Sequence, residues 1–371
     1  MPLKPRSLIS RLKKSTHGGL DHAEMAALGI DPEGIIDFSV STNPFMPPPG
    51  IKEIIGTIRI DRYPDSRCTE LRRLLAAKLG VSTDNLLVGS GTTELIRLVT
   101  ATFLRQGDPV LLLEPTYGDY EVACRMAGAG LIRHRSREED GFLPRTEEVT
   151  RLIRQRRPRA VFICNPGNPA GRYISRTDIE IIVREMAGGL LILDEAYLSF
   201  VERQWDSLGL ISGGNVIVLR SMTKDYGLPG LRLGYAVASR EIISAMLPVL
   251  PPWNVNSIAQ EVGAAVLGNE EYLRQSLRKV NEAKHFLMSE LSRINLKVLP
   301  SDANYFLVKV GDARECRLAF LKHGILVRDC SSFGLPGYIR LSARTLTECE
   351  QLLEAARQII RGGEYRFSPG T

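Results

Sequence analysis

Ser221-Met222-Thr223-Lys224-Asp225-Tyr226-Gly227-Leu228-Pro229-Gly230-Leu231-Arg232-Leu233-Gly234-Tyr235 is the stretch around which the chain is organised. It follows Val216-Ile217-Val218-Leu219, an apolar, β-branched run that reads as a buried strand. A lysine after a strand is ordinarily a surface lysine. Here Ser221 and Thr223 stand just before Lys224, small and turn-forming residues follow it, and Arg232 precedes a second apolar run. Hydroxyls and a guanidinium suit an anionic phosphate. A lysine held near that phosphate can form a Schiff base with a carbonyl cofactor.

Upstream, short apolar runs alternate with amphipathic helical patterns: Leu86-Leu87-Val88, Pro109 to Leu113, Ala160 to Ile163 and Leu190 to Leu193. Near-continuous Val, Ile and Leu in short runs predicts strands buried on both faces, hence an α/β fold with a mostly parallel sheet flanked by helices. Groups that do chemistry should lie beyond the carboxyl ends of those strands. Before this region, Ile35 to Val40 reads as a strand, and a helix with Leu71, Leu74, Leu75 and Leu79 on one face is closed by Gly80. After Pro251-Pro252-Trp253 a helical stretch from Ile258 to Ile294, broken near Gly268-Asn269, leads into shorter strands of a smaller α+β domain. The expected organisation is an amino-terminal arm (1–45) over the active site, a large domain (46–250) and a small one (251–371).

Strand ends carry the chemistry. Gly89-Ser90-Gly91-Thr92-Thr93-Glu94 follows a strand and opens a helix, so the amides of Thr92 and Thr93 would face an anion. It does not fit GxxxxGK[ST], which excludes a nucleotide P-loop. Tyr117, in Glu114-Pro115-Thr116-Tyr117, suits aromatic packing at a helix start. Asn165-Pro166-Gly167-Asn168-Pro169-Ala170-Gly171 fits a turn. Asp194, in Leu193-Asp194-Glu195-Ala196-Tyr197, ends an apolar strand, where a carboxylate is costly unless a cation pairs with it.

In this order, these five segments resemble the fold-type I pyridoxal-phosphate (PLP) enzymes of the aspartate aminotransferase-like fold, within the histidinol-phosphate aminotransferase-like group. The resemblance implies PLP as cofactor, with Lys224 as its Schiff-base lysine and Ser90, Gly91, Thr92, Thr93, Ser221, Thr223 and Arg232 around its phosphate. Tyr117 would stack on the pyridine face, Asn168 and Tyr197 would bond the phenolic oxygen, and Asp194 would pair with the ring nitrogen. Ala170 stands where that family usually has Thr. Tyr63, in Arg62-Tyr63-Pro64-Asp65, matches a tyrosine that reaches the partner's cofactor phosphate, which implies a homodimer.

Reaction type turns on substrate anchors. Arg340 matches the family's α-carboxylate arginine, and Arg328 a second arginine facing a substrate phosphate. Thr16-His17-Gly18-Gly19, then Asp37-Phe38-Ser39 and Asn43-Pro44, resembles the L-threonine-O-3-phosphate decarboxylases of cobalamin biosynthesis, with His17, Gly18, Asn43 and Asn168 at the substrate. That resemblance implies decarboxylation to (R)-1-aminopropan-2-yl phosphate, with catalytic Lys224, Asp194 and Tyr197. Ser41, where those decarboxylases generally have Asn, leaves the exact amino acid open. The alternative is a histidinol-phosphate or related class I/II aminotransferase. A PLP-sensing regulatory module would need a DNA-binding domain, and only sixteen residues precede His17.

Composition is that of a soluble globular protein, 44% hydrophobic and 24% charged, with no run apolar enough to span a bilayer. The net charge of +6 comes partly from Lys4, Arg6, Arg11, Lys13 and Lys14, a cluster without the interleaved aromatics of a nucleic-acid arm and without the apolar core of a secretory signal. Six scattered cysteines with no CxxC pair predict cytoplasmic thiols and no metal site.

Overall fold

The computed structural model describes residues 3, 7–10, 12, 14–186 and 188–367; of the basic amino-terminal cluster, Lys4, Arg6, Arg11 and Lys13 lie outside the described residues. The first strand, β1 (Ile36–Asp37), is shorter than the Ile35–Val40 run suggested. It ends where Asp37 Oδ1 accepts from both the amide and the hydroxyl of Ser39, at 2.7 and 2.6 Å, which turns the chain out of the strand.

Seven strands follow: β2 (Leu86–Gly89), β3 (Pro109–Glu114), β4 (Gly130–Arg135), β5 (Ala160–Cys164), β6 (Leu190–Asp194), β7 (Val216–Ser221) and β8 (Gly234–Ala238). They form one sheet in the order β2-β8-β7-β6-β5-β3-β4, in which β8 alone runs against the rest. The mostly parallel sheet expected from the apolar runs is therefore present. Alternate residues of the central strands feed opposite cores, as a period of two requires. Leu111, Val161, Ile163, Leu191 and Leu193 pack on one face, and Val110, Leu112, Phe162 and Ile192 on the other. The sequence pattern missed β4. It is an edge strand with Arg133 and Arg135 facing Glu114, so it never reads as a continuous apolar run.

The remaining strands are β9 (Lys297–Val298), β10 (Tyr305–Lys309), β11 (Ile325–Leu326), β12 (Arg328–Asp329) and β13 (Tyr338–Ser342). The order β12-β13-β10-β9 makes an antiparallel sheet, whereas β11 pairs in parallel with β1. Through that pair Phe38 enters the small-domain core beside Phe306 and Val327.

The expected boundary at 250/251 needs correction. The helix Ser257–Leu267 packs Val262, Val266 and Leu267 with Leu71 and Leu75 in the core of the large sheet. The next helix, Glu270–Arg293, places Tyr272 and Leu273 against that core but Ala283, Leu287 and Leu291 in the small one. The two cores therefore change over within this helix. The break at Gly268-Asn269 is where the sequence placed it.

Candidate active site

Gly89, Glu114, Cys164, Asp194 and Ser221 end β2, β3, β5, β6 and β7 on one edge of the sheet. Above them opens a cleft of about 1530 Å³, roofed by the arm and by β12 and β13. Lys14, His17, Gly18, Ser90, Thr93, Tyr117, Asn168, Tyr197, Lys224, Arg232, Arg328 and Arg340 line it. Residues separated by more than three hundred positions are thus brought to one place.

Lys224 lies half-buried on the loop after β7, its Nζ 5.8 Å from the centre of the Tyr197 ring. Burial, then the charges of Arg340 and Arg232, pull its pKa down to about 8. Asp194 sits beneath, 3% exposed, with Oδ1 accepting from Ala196 N–H at 3.0 Å and Oδ2 from the Tyr120 hydroxyl at 2.7 Å. Burial raises its pKa, and those two bonds oppose the shift. The Tyr197 hydroxyl is pushed up to about 12 by burial, so it stays a hydrogen-bond donor at neutral pH.

A phosphate cradle stands beside the lysine. The helix Thr92–Phe103 begins after Gly91 with no side-chain cap, so its first amides are left for a ligand. Gly91 has φ +77°, and a Cβ there would lie 2.9 Å from Arg232 Nη2. A side chain at position 91 would therefore fill the space between guanidinium and helix start. Ser221 and Thr223 share a hydroxyl bond of 2.7 Å at the end of β7. Glu94 accepts from Ser90 N–H and from Asn254 Nδ2, both at 2.7 Å, and so fixes the loop. Tyr117 rises over this floor, its hydroxyl 3.2 Å from Thr93 Oγ1. These groups fit a flat, phosphate-bearing pyridine with a carbonyl at Lys224.

On the small-domain side, Arg328 and Arg340 are register partners across β12 and β13, 6% and 4% exposed. Arg328 Nη2 donates to Thr16 O at 2.8 Å and Ser332 Oγ at 2.7 Å. Arg340 donates to Asn168 Oδ1 and, at 2.7 Å, to Ser39 O; its Nε has no partner. Among the described residues no carboxylate lies within ion-pair distance of either guanidinium. Burial and the neighbouring Arg340 charge lower the pKa of Arg328. Two buried, unneutralised cations make this wall a receptor for anions.

The arm explains the glycine after His17. A Cβ on Gly18 would lie 2.4 Å from Ser39 O, the same carbonyl that Arg340 holds, so only glycine lets the arm press down there. His17 is half-exposed, with Nε2 3.6 Å from Asp119 Oδ2 and its ring 5.7 Å from that of Tyr117. Gly18→Ala is expected to raise KM for a phosphorylated substrate by about tenfold or more, since the clash is with backbone that cannot swing aside. PLP affinity should be unchanged. Steady-state kinetics beside a cofactor titration checks this.

Asn43, expected at the substrate, is not in the cleft. It is 2% exposed, and its Nδ2 donates to Asp225 O at 2.9 Å and Ser276 Oγ at 2.8 Å. Its own amide donates to Lys224 O at 2.7 Å. Asn43 therefore clamps the lysine loop and has no group left for a substrate. Tyr63 is 75% exposed and stacked on Trp253 at 4.3 Å, away from this chain's own cleft. Sequence reasoning missed Tyr120, which touches Asp194, and Asp225, which holds the loop from below through Ser199 Oγ at 2.7 Å. All six cysteines are buried and free. Among the described residues no His, Cys, Asp and Glu group could hold a metal, and no helix is long and apolar enough to cross a membrane.

Residues 33–356 match the family model "Aminotransferase class I and II". The chain is 33% identical to a histidinol-phosphate aminotransferase of Moorella thermoacetica, over 96% of this chain and 93% of that protein. Identity is also 33% to the enzyme of that name from Methanocaldococcus jannaschii, over 96% and 98%. Among solved structures, histidinol-phosphate aminotransferase from Sinorhizobium meliloti in complex with pyridoxal-5'-phosphate superposes with a TM-score of 0.85 at 23% identity, covering 96% of this chain and 97% of that one. L-threonine-O-3-phosphate decarboxylase from Porphyromonas gingivalis gives 0.77 at 26%, covering 87% and 99%. Of the two activities weighed from the sequence, these relatives favour the aminotransferase over the decarboxylase. The chain belongs to the class I and II aminotransferase family, has the fold-type I architecture of that family, and takes PLP as its cofactor.

Proposed function

We propose that this enzyme transaminates a small phosphorylated amine, histidinol phosphate or a close relative. The observation that carries the reading is the unneutralised pair Arg328 and Arg340 facing Lys224 across the cleft. PLP bound there supplies an electron sink for charge that develops at the substrate's Cα. Thr92, Thr93, Ser221, Thr223 and Arg232 hold the cofactor phosphate, and Tyr117 covers the ring. Asn168 and Tyr197 orient the phenolic oxygen, and Asp194 keeps the ring nitrogen protonated. Lys224, with its pKa near 8, is the base that takes the Cα proton. Arg328 grips the substrate phosphate. Arg340 takes the carboxylate of the amino-acid partner in the exchange. A homodimer, with Tyr63 of each chain serving its partner's site, completes the reading.

A second reading, decarboxylation of L-threonine O-3-phosphate, is favoured by the arm. Thr16 is bonded to Arg328, and His17 lies at the cleft where a substrate phosphate would reach it. In that case Cα loses its carboxylate and not a proton, and Lys224 or water returns a proton to Cα. One experiment separates the two. The enzyme is incubated with histidinol phosphate plus 2-oxoglutarate and, separately, with L-threonine phosphate alone, while glutamate and carbon dioxide are measured. Glutamate from the first mixture is the expected result. Carbon dioxide from threonine phosphate with no keto acid present, and no glutamate from the first mixture, would replace the first reading with the second.

A further inference from the structure

Asp194 has one side-chain donor that no part of the reaction accounts for. The Tyr120 hydroxyl donates to its Oδ2 at 2.7 Å, and both residues are buried. We propose that Tyr120 is a positioning residue that keeps Asp194 ionised and aimed at the cofactor's ring nitrogen. The inference rests on the PLP reading of this site.

The packing leaves Tyr120 little freedom. Its ring stacks on Phe162 at 5.1 Å and meets the edge of Tyr117 at 5.5 Å, so one rigid group touches both the face-covering tyrosine and the carboxylate. Ala196 N–H takes the other oxygen, Oδ1. With one donor on each oxygen the carboxyl group cannot rotate, yet each oxygen keeps a lone pair for the ring nitrogen. Burial works against the charge on Asp194, and the Tyr120 bond is the largest influence opposing it. The other titratable groups bearing on this charge are Lys224 on the β7 loop, the thiol of Cys164, which ends β5, the adjoining Glu195, and the hydroxyls of Tyr197 and of Tyr305 on β10. The thiol has an acceptor in Pro166 O at 3.2 Å and supplies no donor to the carboxylate. Removing the hydroxyl while keeping the ring should leave Asp194 buried, mobile and easier to protonate.

The test compares holoenzymes: unmodified, Tyr120→Phe, Asp194→Asn and the double variant. Two quantities are read, kcat/KM and the pH at which the visible absorbance of bound PLP titrates. Tyr120→Phe is expected to lower kcat/KM by about 10- to 100-fold, the effect of one hydrogen bond to a charged group. It should move the titration midpoint by about one pH unit in the direction taken by Asp194→Asn. In the Asp194→Asn background its effect should shrink to about twofold or less. Fluorotyrosine at position 120, a stronger donor of nearly the same shape, should move the midpoint the other way. An equal loss from Tyr120→Phe in both backgrounds, or an unmoved midpoint where Asp194→Asn moves it, overturns the proposal. If Asp194→Asn itself leaves the midpoint unmoved, the pairing of Asp194 with the ring nitrogen fails first.

Discussion

Lys224→Ala is expected to lower kcat by about 10⁴-fold or more, because in the proposed mechanism one substitution removes both the covalent anchor and the base at Cα. The variant should still bind PLP, since the uncapped helix start at Thr92, the Ser221–Thr223 hydroxyl pair just before the lysine, and Arg232 all remain. Borohydride reduction of the unmodified enzyme, followed by peptide mapping, should find the label on Lys224. Label on another lysine would remove this residue from the mechanism. A pH signature accompanies the prediction. With its pKa near 8, Lys224 is largely neutral above that pH, so cofactor capture by the apo-enzyme should accelerate up to about pH 8 and then level off. Stability carries the matching sign. Between about 8 and the ordinary 10.5 the unfolded chain holds a proton that the folded one has lost, so this group makes the apo-protein more stable as pH rises through that window. Lys224→Ala should lack that rise.

Legibility in the sequence followed the physical kind of signal. Buried parallel strands announce themselves, because both faces must be apolar; β3, β5, β6 and β7 were all visible for that reason. β4 was not, since an edge strand tolerates Arg133 and Arg135. The change of domain was misplaced because Pro251-Pro252 looks like a linker, although the helix after it still packs on the first core. Asp194 stood out because a carboxylate at the end of a buried apolar strand needs a partner, whereas Lys224 and Arg232 stood out through the hydroxyls and turn residues around them. Tyr120 did not. An aromatic three residues after Tyr117 has the spacing of ordinary helix packing, and only the folded chain shows its hydroxyl on Asp194. Asn43 failed in the opposite sense. The resemblance of Asp37-Phe38-Ser39 and Asn43-Pro44 to the decarboxylases implied a substrate-binding group, but side-chain amides serve backbone equally well, and here the backbone is that of the lysine loop.

The second large effect is expected at Arg328, and its sign on stability differs from its sign on activity. In Arg328→Met the phosphate should lose a bidentate partner. At roughly 1.5–3 kcal/mol for each charge-assisted bond, that is a fall in kcat/KM of about 10²-fold or more for a phosphorylated substrate. An unphosphorylated analogue should react no worse than with the unmodified enzyme, so the preference for phosphate itself disappears. The ligand-free fold should tolerate the change. Arg328 gives up bonds to Thr16 O and Ser332 Oγ, but a buried cation beside the like charge of Arg340 is removed with them. Methionine can fill the volume against Phe333, over which the guanidinium now lies at 5.3 Å. Replacing a buried charge by a hydrophobe of similar size is often neutral or stabilising. The melting temperature of the apo-protein should therefore change by no more than about 2–4 °C, which corresponds to about 1 kcal/mol in a domain of roughly 150–250 residues. Calorimetry of the apo-protein, beside kinetics on the two substrates, checks both signs at once. A large drop in melting temperature, with phosphate preference intact, would make Arg328 a strut between the arm and the small domain and would return the phosphate to His17 or another group. The unneutralised pair fits a site whose missing charge arrives with the substrate.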